Sequence, residues 1–260
     1  MTETLLEVSG LIKRFGGLVA TDALDLDVAA GEIHAVIGPN GAGKTTLIGQ
    51  LSGEIVPDGG RIGFAGRDIT RLPAHRRSML GLARSFQITS VFLDFTALDN
   101  VALAVQAHDG HSFRFWRPAR AEPSLRAPAR EILREVRLDG RADVPSANLS
   151  HGEQRQLEIA MALATRPRLL LLDEPTAGMG REESKRMIET LRRLRGRQTI
   201  LLIEHDMDVV FALADRVTVL VYGRAIASGP PDRIRADPAV REAYLGEDDR
   251  PAPAEGRRGA

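Results

Sequence analysis

The sequence predicts an α/β domain whose parallel strands end at a glycine-rich loop, and three observations carry that prediction. First, the apolar run Ile33 to Ile37 reads as a buried strand. Gly38-Pro39-Asn40-Gly41-Ala42-Gly43-Lys44-Thr45-Thr46 follows it, and Leu47 to Leu51 then reads as a helix. Second, Leu169 to Leu172 form a continuous apolar run that ends in Asp173-Glu174-Pro175. Such a run marks a central parallel strand buried on both faces, with its carboxyl end at the crevice where these sheets bind ligands. Third, Gln198 to Glu204 is another apolar strand, closed by His205.

The loop has the G-x-x-x-x-G-K-[ST] spacing in its strand–loop–helix context. Its glycines let successive backbone N–H groups turn inward on phosphate oxygens. The helix N-terminus behind them adds about half a positive charge. Lys44 is then placed to reach the β- and γ-phosphates of a nucleotide, and the Thr45 hydroxyl to ligate Mg²⁺. A plain turn needs one or two glycines, not three with a Lys-Thr pair at fixed offsets. Asp173 is placed to hold the same Mg²⁺ through water, and Glu174 to polarise an attacking water. Carboxylates ending a buried strand are costly without a cation or strong hydrogen bonds, which disfavours a purely structural reading.

The remaining elements follow in order. Leu5 to Leu11 and Leu24 to Val28 read as strands; in the second, Leu24, Leu26 and Val28 alternate with Asp25 and Asp27, the pattern of one buried and one wet face. Between them, Phe15 is read on a loop, either stacking on a purine or capping a sheet. Pro57-Asp58-Gly59-Gly60 is a turn, Arg61 to Phe64 a short strand, and Pro73 to Leu80 a helix. Gly81 to Phe86 is a strand ending at Gln87, whose amide can reach a metal ion or water at the phosphates. Helices are predicted over Thr96 to Ala107 and Arg126 to Val136. Between them His108 to Pro118 alternates aromatics, including Trp116, with arginines. That segment either folds over its own subdomain, the favoured reading, or touches a membrane or partner. Ser150 and Glu153 form a capping box at a helix start. Ser150, Gly152 and the exposed N–H groups there are either a simple cap or a second anion site. Arg181 to Arg195 and Asp206 to Ala214 read as helices, Val217 to Tyr222 and Arg224 to Ala227 as a hairpin, and Pro238 to Leu245 as a last helix. The tail from 247 to 260 reads as disordered.

The 260 residues allow one large α/β domain or two small ones, and 43% hydrophobic content is enough for a core. Lys plus Arg and Asp plus Glu are 35 each, so the formal charge of zero argues against a nucleic-acid partner. With no cysteine there is no disulfide framework and no thiolate metal site. The N-terminus is not a signal peptide, and no run approaches the ~20 apolar residues that span a bilayer.

From about Leu5 to Leu245 the chain resembles the ATP-binding subunit of ABC transporters. The resemblance rests on the phosphate loop Gly38 to Thr46, Gln87, Leu149-Ser150-His151-Gly152-Glu153, the strand Leu169 to Asp173 with Glu174, and His205. Glu204 to Val210 and Ala243 to Gly246 are similar to the subfamily importing branched-chain amino acids or urea and amides. The resemblance implies a P-loop NTPase, RecA-like core with an antiparallel β subdomain and a helical subdomain inserted at about 88–160, all within residues 1–246. It also implies that Phe15 stacks on adenine and that Gln87 senses the metal and links the site to the membrane subunit. His205 contacts the γ-phosphate, while Ser150 and Gly152 contact the γ-phosphate held by another subunit. His151 and Glu153 depart from the commonest signature form. Thr176-Ala177-Gly178-Met179 lacks the aspartate that many relatives carry.

The expected protein is therefore an ATPase with ATP and Mg²⁺, working as a head-to-tail pair with itself or a paralogue. It would drive membrane permease subunits from the cytoplasmic face of the inner membrane and be fed by a soluble substrate-binding protein. A lipopolysaccharide-type exporter ATPase, a soluble ABC ATPase and an unrelated P-loop kinase or helicase are the rival readings.

Overall fold

The structure, a computed structural model, describes residues 3–85, 91–109 and 122–242. Gln87, most of the segment around Trp116 and the tail from 247 lie outside these residues.

The parallel sheet is built from β3 (Ile33–Ile37), β6 (Leu82–Arg84), β7 (Leu169–Asp173), β8 (Thr199–Ile203) and β9 (Arg216–Val221), with β10 (Arg224–Gly229) antiparallel at one edge. The strand order is β10-β9-β3-β8-β7-β6. β3, β7 and β8 are buried at every position, and their alternating side chains explain why. Leu169, Leu171, Leu201, Ile203 and Val36 pack on one side, against α1 (Lys44–Ser52) and a second sheet. Leu170, Leu172, Ile200, Leu202 and Ile33 pack on the other, against helices. A strand covered on both faces has little room for polar side chains, so these strands are largely apolar, with His34 the buried polar exception inside β3.

The second sheet is antiparallel, in the order β2-β1-β4-β5, from β1 (Thr4–Phe15), β2 (Leu18–Ala29), β4 (Gly59–Phe64) and β5 (Arg67–Asp68). The predicted alternation holds: Leu24, Leu26 and Val28 are buried while Asp25 and Asp27 are exposed. β1 and β2 both run further than expected. They meet across Gly16-Gly17, and Phe15 pairs with Leu18, so Phe15 ends a strand instead of lying on a loop.

On the other face lie α3 (Ala97–Asp109), α4 (Pro123–Glu135), α5 (His151–Ala164) and α6 (Arg181–Leu194). Leu98, Val101, Ala102 and Val105 of α3 are buried as their spacing requires. α4 starts three residues before the predicted Arg126, with Pro123 in its first turn, where a missing N–H costs nothing. α2 (Ala74–Met79), α7 (Met207–Leu213) and α8 (Pro231–Ala236) are short, and α8 was not expected. Helical backbone resumes at Pro238 and continues to the last described residue.

A buried polar network ties the sheet edge to β2. His34 is fully buried, its Nδ1 3.1 Å from Glu32 Oε1 and its Nε2 2.8 Å from Thr218 Oγ1. Arg216 pairs with both Glu32 (3.0 Å) and Asp27 (2.7 Å). Burial alone would raise the Glu32 carboxyl, but hydrogen bonds from His34 and the Ala29 N–H, with the charges of His34 and Arg216, hold it below its ordinary 4.5. A depressed carboxylate stabilises the fold above its unfolded pKa and loses that contribution as pH falls through the folded value. The stability gap between wild type and Glu32→Gln in urea titrations should therefore be widest near neutrality and close below pH ~4.5. A gap independent of pH would contradict this.

Candidate active site

Sheet register sets the site. Ile203 of β8 lies level with Val36 of β3 on one side and Asp173 of β7 on the other. The residues that follow these three therefore emerge side by side at the carboxyl ends of adjacent strands. They are the loop from Gly38, the pair Glu204-His205, and Glu174.

The loop wraps the start of α1, whose first turn carries no acidic residue to offset its positive end. It is seated on backbone. A Cβ at Gly38 would stand 2.1 Å from the Leu220 carbonyl oxygen, and one at Gly43, where φ is +104°, 2.1 Å from that of Ala20. The Gly223 N–H donates to the Ala42 carbonyl at 2.9 Å. Gly38 and Ala42 are buried, Pro39 and Gly43 half-buried, and Asn40 and Gly41 exposed. Lys44 is buried, and its ammonium donates to the carbonyls of Gly38 (2.5 Å) and Pro39 (2.8 Å). Thr45 is exposed and Thr46 half-buried on the first turn of α1. Phe15 keeps 48% of its surface exposed, with the Lys13 ammonium 5.4 Å from its ring centre.

Asp173 is buried at the end of β7. Burial pushes its carboxyl up, Arg84 pulls it back, Glu174 adds to the rise and Lys44 opposes it; the net shift is upward. Arg84, at the end of the neighbouring β6, reaches Asp173 Oδ2 at 3.3 Å and Glu54 at 2.6 Å. Glu174 sits in the left-handed region at φ +48°, its N–H bound to the Ile203 carbonyl at 2.9 Å. Its Oε1 is 3.7 Å from His205 Nδ1, and the His205 side chain is 62% exposed. The strand ends thus bring together a buried carboxylate, a second carboxylate beside an imidazole, and a lysine held on loop carbonyls.

Ser150 and Gly152 are elsewhere, at the N-terminus of α5. The predicted capping box is formed: Ser150 Oγ accepts from the Glu153 N–H, and the Glu153 carboxylate accepts from the Ser150 N–H at 2.8 Å. Glu153 also pairs with Arg141 at 3.1 Å. The other partner of this helix start is Glu183 of α6. One oxygen of Glu183 accepts from Ser150 Oγ at 2.8 Å and from the Gly152 N–H at 3.3 Å. The hydrogen bond from Ser150, outweighing slight desolvation and joined by those from the Gly152 and Gly180 N–H groups, holds the Glu183 carboxyl below its ordinary range. Sequence reading missed Arg84, Glu183 and Glu204, whose partners are remote in the chain. The only signal was a charged residue placed at the end of a strand or in the first turn of a helix.

Residues 21–177 match the family model described as ABC transporter. The chain belongs to the ABC transporter family. A second model, described as branched-chain amino acid ATP-binding cassette transporter, matches residues 226–250. The chain is 41% identical to the high-affinity branched-chain amino acid transport ATP-binding protein BraF of Pseudomonas aeruginosa, over 95% of this chain and all of that one. It is 40% identical, with the same coverage, to LivG of Salmonella typhimurium, which bears the same description. A solved ATP-binding cassette of an ABC transporter in its ADP conformation superposes with a TM-score of 0.82 at 30% identity, covering 94% of this chain and 100% of that one. These findings bear out the expected ABC ATPase fold of a P-loop core with antiparallel and helical parts.

Proposed function

We propose that this ABC protein hydrolyses ATP to power import of branched-chain amino acids. The observation that carries the chemistry is the meeting of the Lys44 loop, Asp173-Glu174 and His205 at three adjacent strand ends. The match at 226–250 favours branched-chain amino acids over urea, amides or lipopolysaccharide.

In this reading the loop N–H groups and Lys44 bind the β- and γ-phosphates, and Phe15 stacks on adenine. The hydroxyl of Thr45 and the carboxylate of Asp173 are hard oxygen donors suited to Mg²⁺, and a buried carboxylate raised by its burial gains from a cation. Gln87 is assigned to the same metal. Bound Mg²⁺ would neutralise phosphate charge. Glu174 orients and deprotonates the attacking water, and His205 contacts the γ-phosphate.

Ser150 and Gly152 donate to Glu183 and not to the Lys44 loop of their own chain. This supports a head-to-tail pair, with itself or a paralogue, in which they meet the γ-phosphate held by the other subunit. Closing the pair then requires the Glu183 carboxylate to yield both donors. Glu183→Gln should lower the ATP concentration that half-saturates pairing, read by light scattering in a hydrolysis-deficient background. An unchanged or raised concentration would show that Glu183 does not compete.

No described helix is long and apolar enough to cross a membrane. Transport then needs permease subunits, and a soluble binding protein to deliver the amino acid. We assign the permease contact to a groove of about 450 Å³ between α2, β6, α3 and α5, lined by Ser78, Leu82, Ala104, Ala107 and Met161. Arg84 lies in its wall, one side chain from Asp173. Residues 1–246 act as one domain with the helical insert at about 88–160, peripheral at the cytoplasmic face of the inner membrane, with 247–260 as a tail. Uptake of radiolabelled leucine, isoleucine and valine in cells lacking this chain tests the reading. Wild type should restore uptake and Glu174→Gln should not; full uptake without the chain would overturn it.

A further inference from the structure

Glu204 has no role in the chemistry so far, yet its side chain is completely buried. A buried carboxylate is expensive unless it is well supplied with donors or a cation. Among the described residues no lysine or arginine forms an ion pair with Glu204. Its donors come from two separate loops. Oε1 accepts from Thr176 Oγ1 at 2.5 Å and from the Thr176 N–H at 3.2 Å, and Oε2 accepts from the His205 N–H at 3.2 Å. Oε2 also lies 4.0 Å from His205 Nδ1.

The loops it joins carry Glu174 and His205, the two groups assigned above to the attacking water and the γ-phosphate. Thr176 belongs to the turn of Glu174, closed by the Ala177 N–H on the Glu174 carbonyl at 3.1 Å and the Met179 N–H on the Thr176 carbonyl at 3.2 Å. Glu174 itself is held at a positive φ, a conformation that persists only when its surroundings fix it. One fixing point is the Ile203 carbonyl. The other is the Glu204 carboxylate, which holds Thr176, two residues beyond Glu174. The Nδ1 edge of His205 faces both Glu204, at 4.0 Å, and Glu174, at 3.7 Å.

We propose that Glu204 is a positioning residue for hydrolysis: its buried carboxylate clamps the Glu174 turn to the His205 strand end, and so fixes the distance between the water-activating carboxylate and the imidazole. The inference rests on the ATPase reading. It requires that loss of the clamp slow the chemical step without loosening nucleotide, because none of its contacts reaches the Lys44 loop.

The test compares wild type, Glu204→Gln, Glu204→Ala, Thr176→Val and Thr176→Ser in steady-state hydrolysis and in equilibrium binding of a fluorescent ATP analogue. Glutamine keeps the shape but places an amide donor where an acceptor is needed, so both Glu204 variants should lose about 10–100-fold in kcat, the scale seen when outer-shell partners are removed. Their analogue affinity should stay within about twofold. Thr176→Val leaves the carboxylate in place and should fall in the same direction. Thr176→Ser retains the hydroxyl and should recover wild-type kcat. Wild-type turnover in Glu204→Ala, or equal loss of affinity and kcat across the Glu204 variants and Thr176→Val, would overturn the proposal. If wild type with its partners hydrolyses no ATP, it is the ATPase reading that fails instead.

Discussion

Glu174→Gln is expected to stop ATP turnover while leaving nucleotide bound. Glutamine has the size of glutamate and keeps one oxygen toward the water, but it cannot take a proton. Loss of a positioned general base costs about 10²–10⁴-fold in rate. Binding should survive because the proposed phosphate contacts lie elsewhere, in the N–H groups of the Gly38 to Thr46 loop and in Lys44. Nor does the Glu174 backbone depend on its side chain, since its N–H is bound to Ile203. Phosphate release measured against retained nucleotide checks both halves. Hydrolysis at the wild-type rate would assign the base elsewhere, and loss of binding would mean that Glu174 holds the nucleotide itself.

Lys44→Ala is expected to act on the other half of the site. Its side chain is buried and its ammonium lies on the carbonyls of the loop proposed to receive the phosphates. Charge-assisted hydrogen bonds contribute about 1.5–3 kcal/mol each, so ATP affinity should fall roughly 10–100-fold or more. AMP carries no β- or γ-phosphate, and its affinity should change little. That contrast separates a lost phosphate contact from a collapsed loop, which would weaken every nucleotide alike. Unchanged ATP affinity would remove Lys44 from the site.

Much of this was legible because single-residue chemistry and local pattern agreed. The Leu169 to Asp173 run predicted a strand buried on both faces, and alternate leucines do enter opposite cores. The Ser150-x-x-Glu153 spacing predicted a capping box that is formed on both sides. What escaped was non-local. Glu204 looked like the polar end of an apolar strand; its inward turn depends on Thr176, in a loop after another strand. Glu183 looked like one acid among several on a charged helix, and only packing of α6 on α5 brings it to Ser150. Arg84 became a partner of Asp173 through the pairing of β6 with β7. Local errors had local causes. The strand through Phe15 was cut short at polar Lys13-Arg14, whose positions in a two-strand ribbon need no burial. The short α8 buries only Ile234, too little apolar pattern to announce a helix.

In the proposed pair, ATP is clasped between two ATP-binding chains, one giving Lys44 and the other Ser150. The direct measurement is the mass of the Glu174→Gln protein by light scattering at saturating MgATP, alone and mixed with its companion ATP-binding subunit. A paired species holding one ATP per Lys44 loop, dissociated by Ser150→Glu on the chain facing that loop, is the expected result. A species that stays monomeric in both samples while fully loaded with ATP would contradict it.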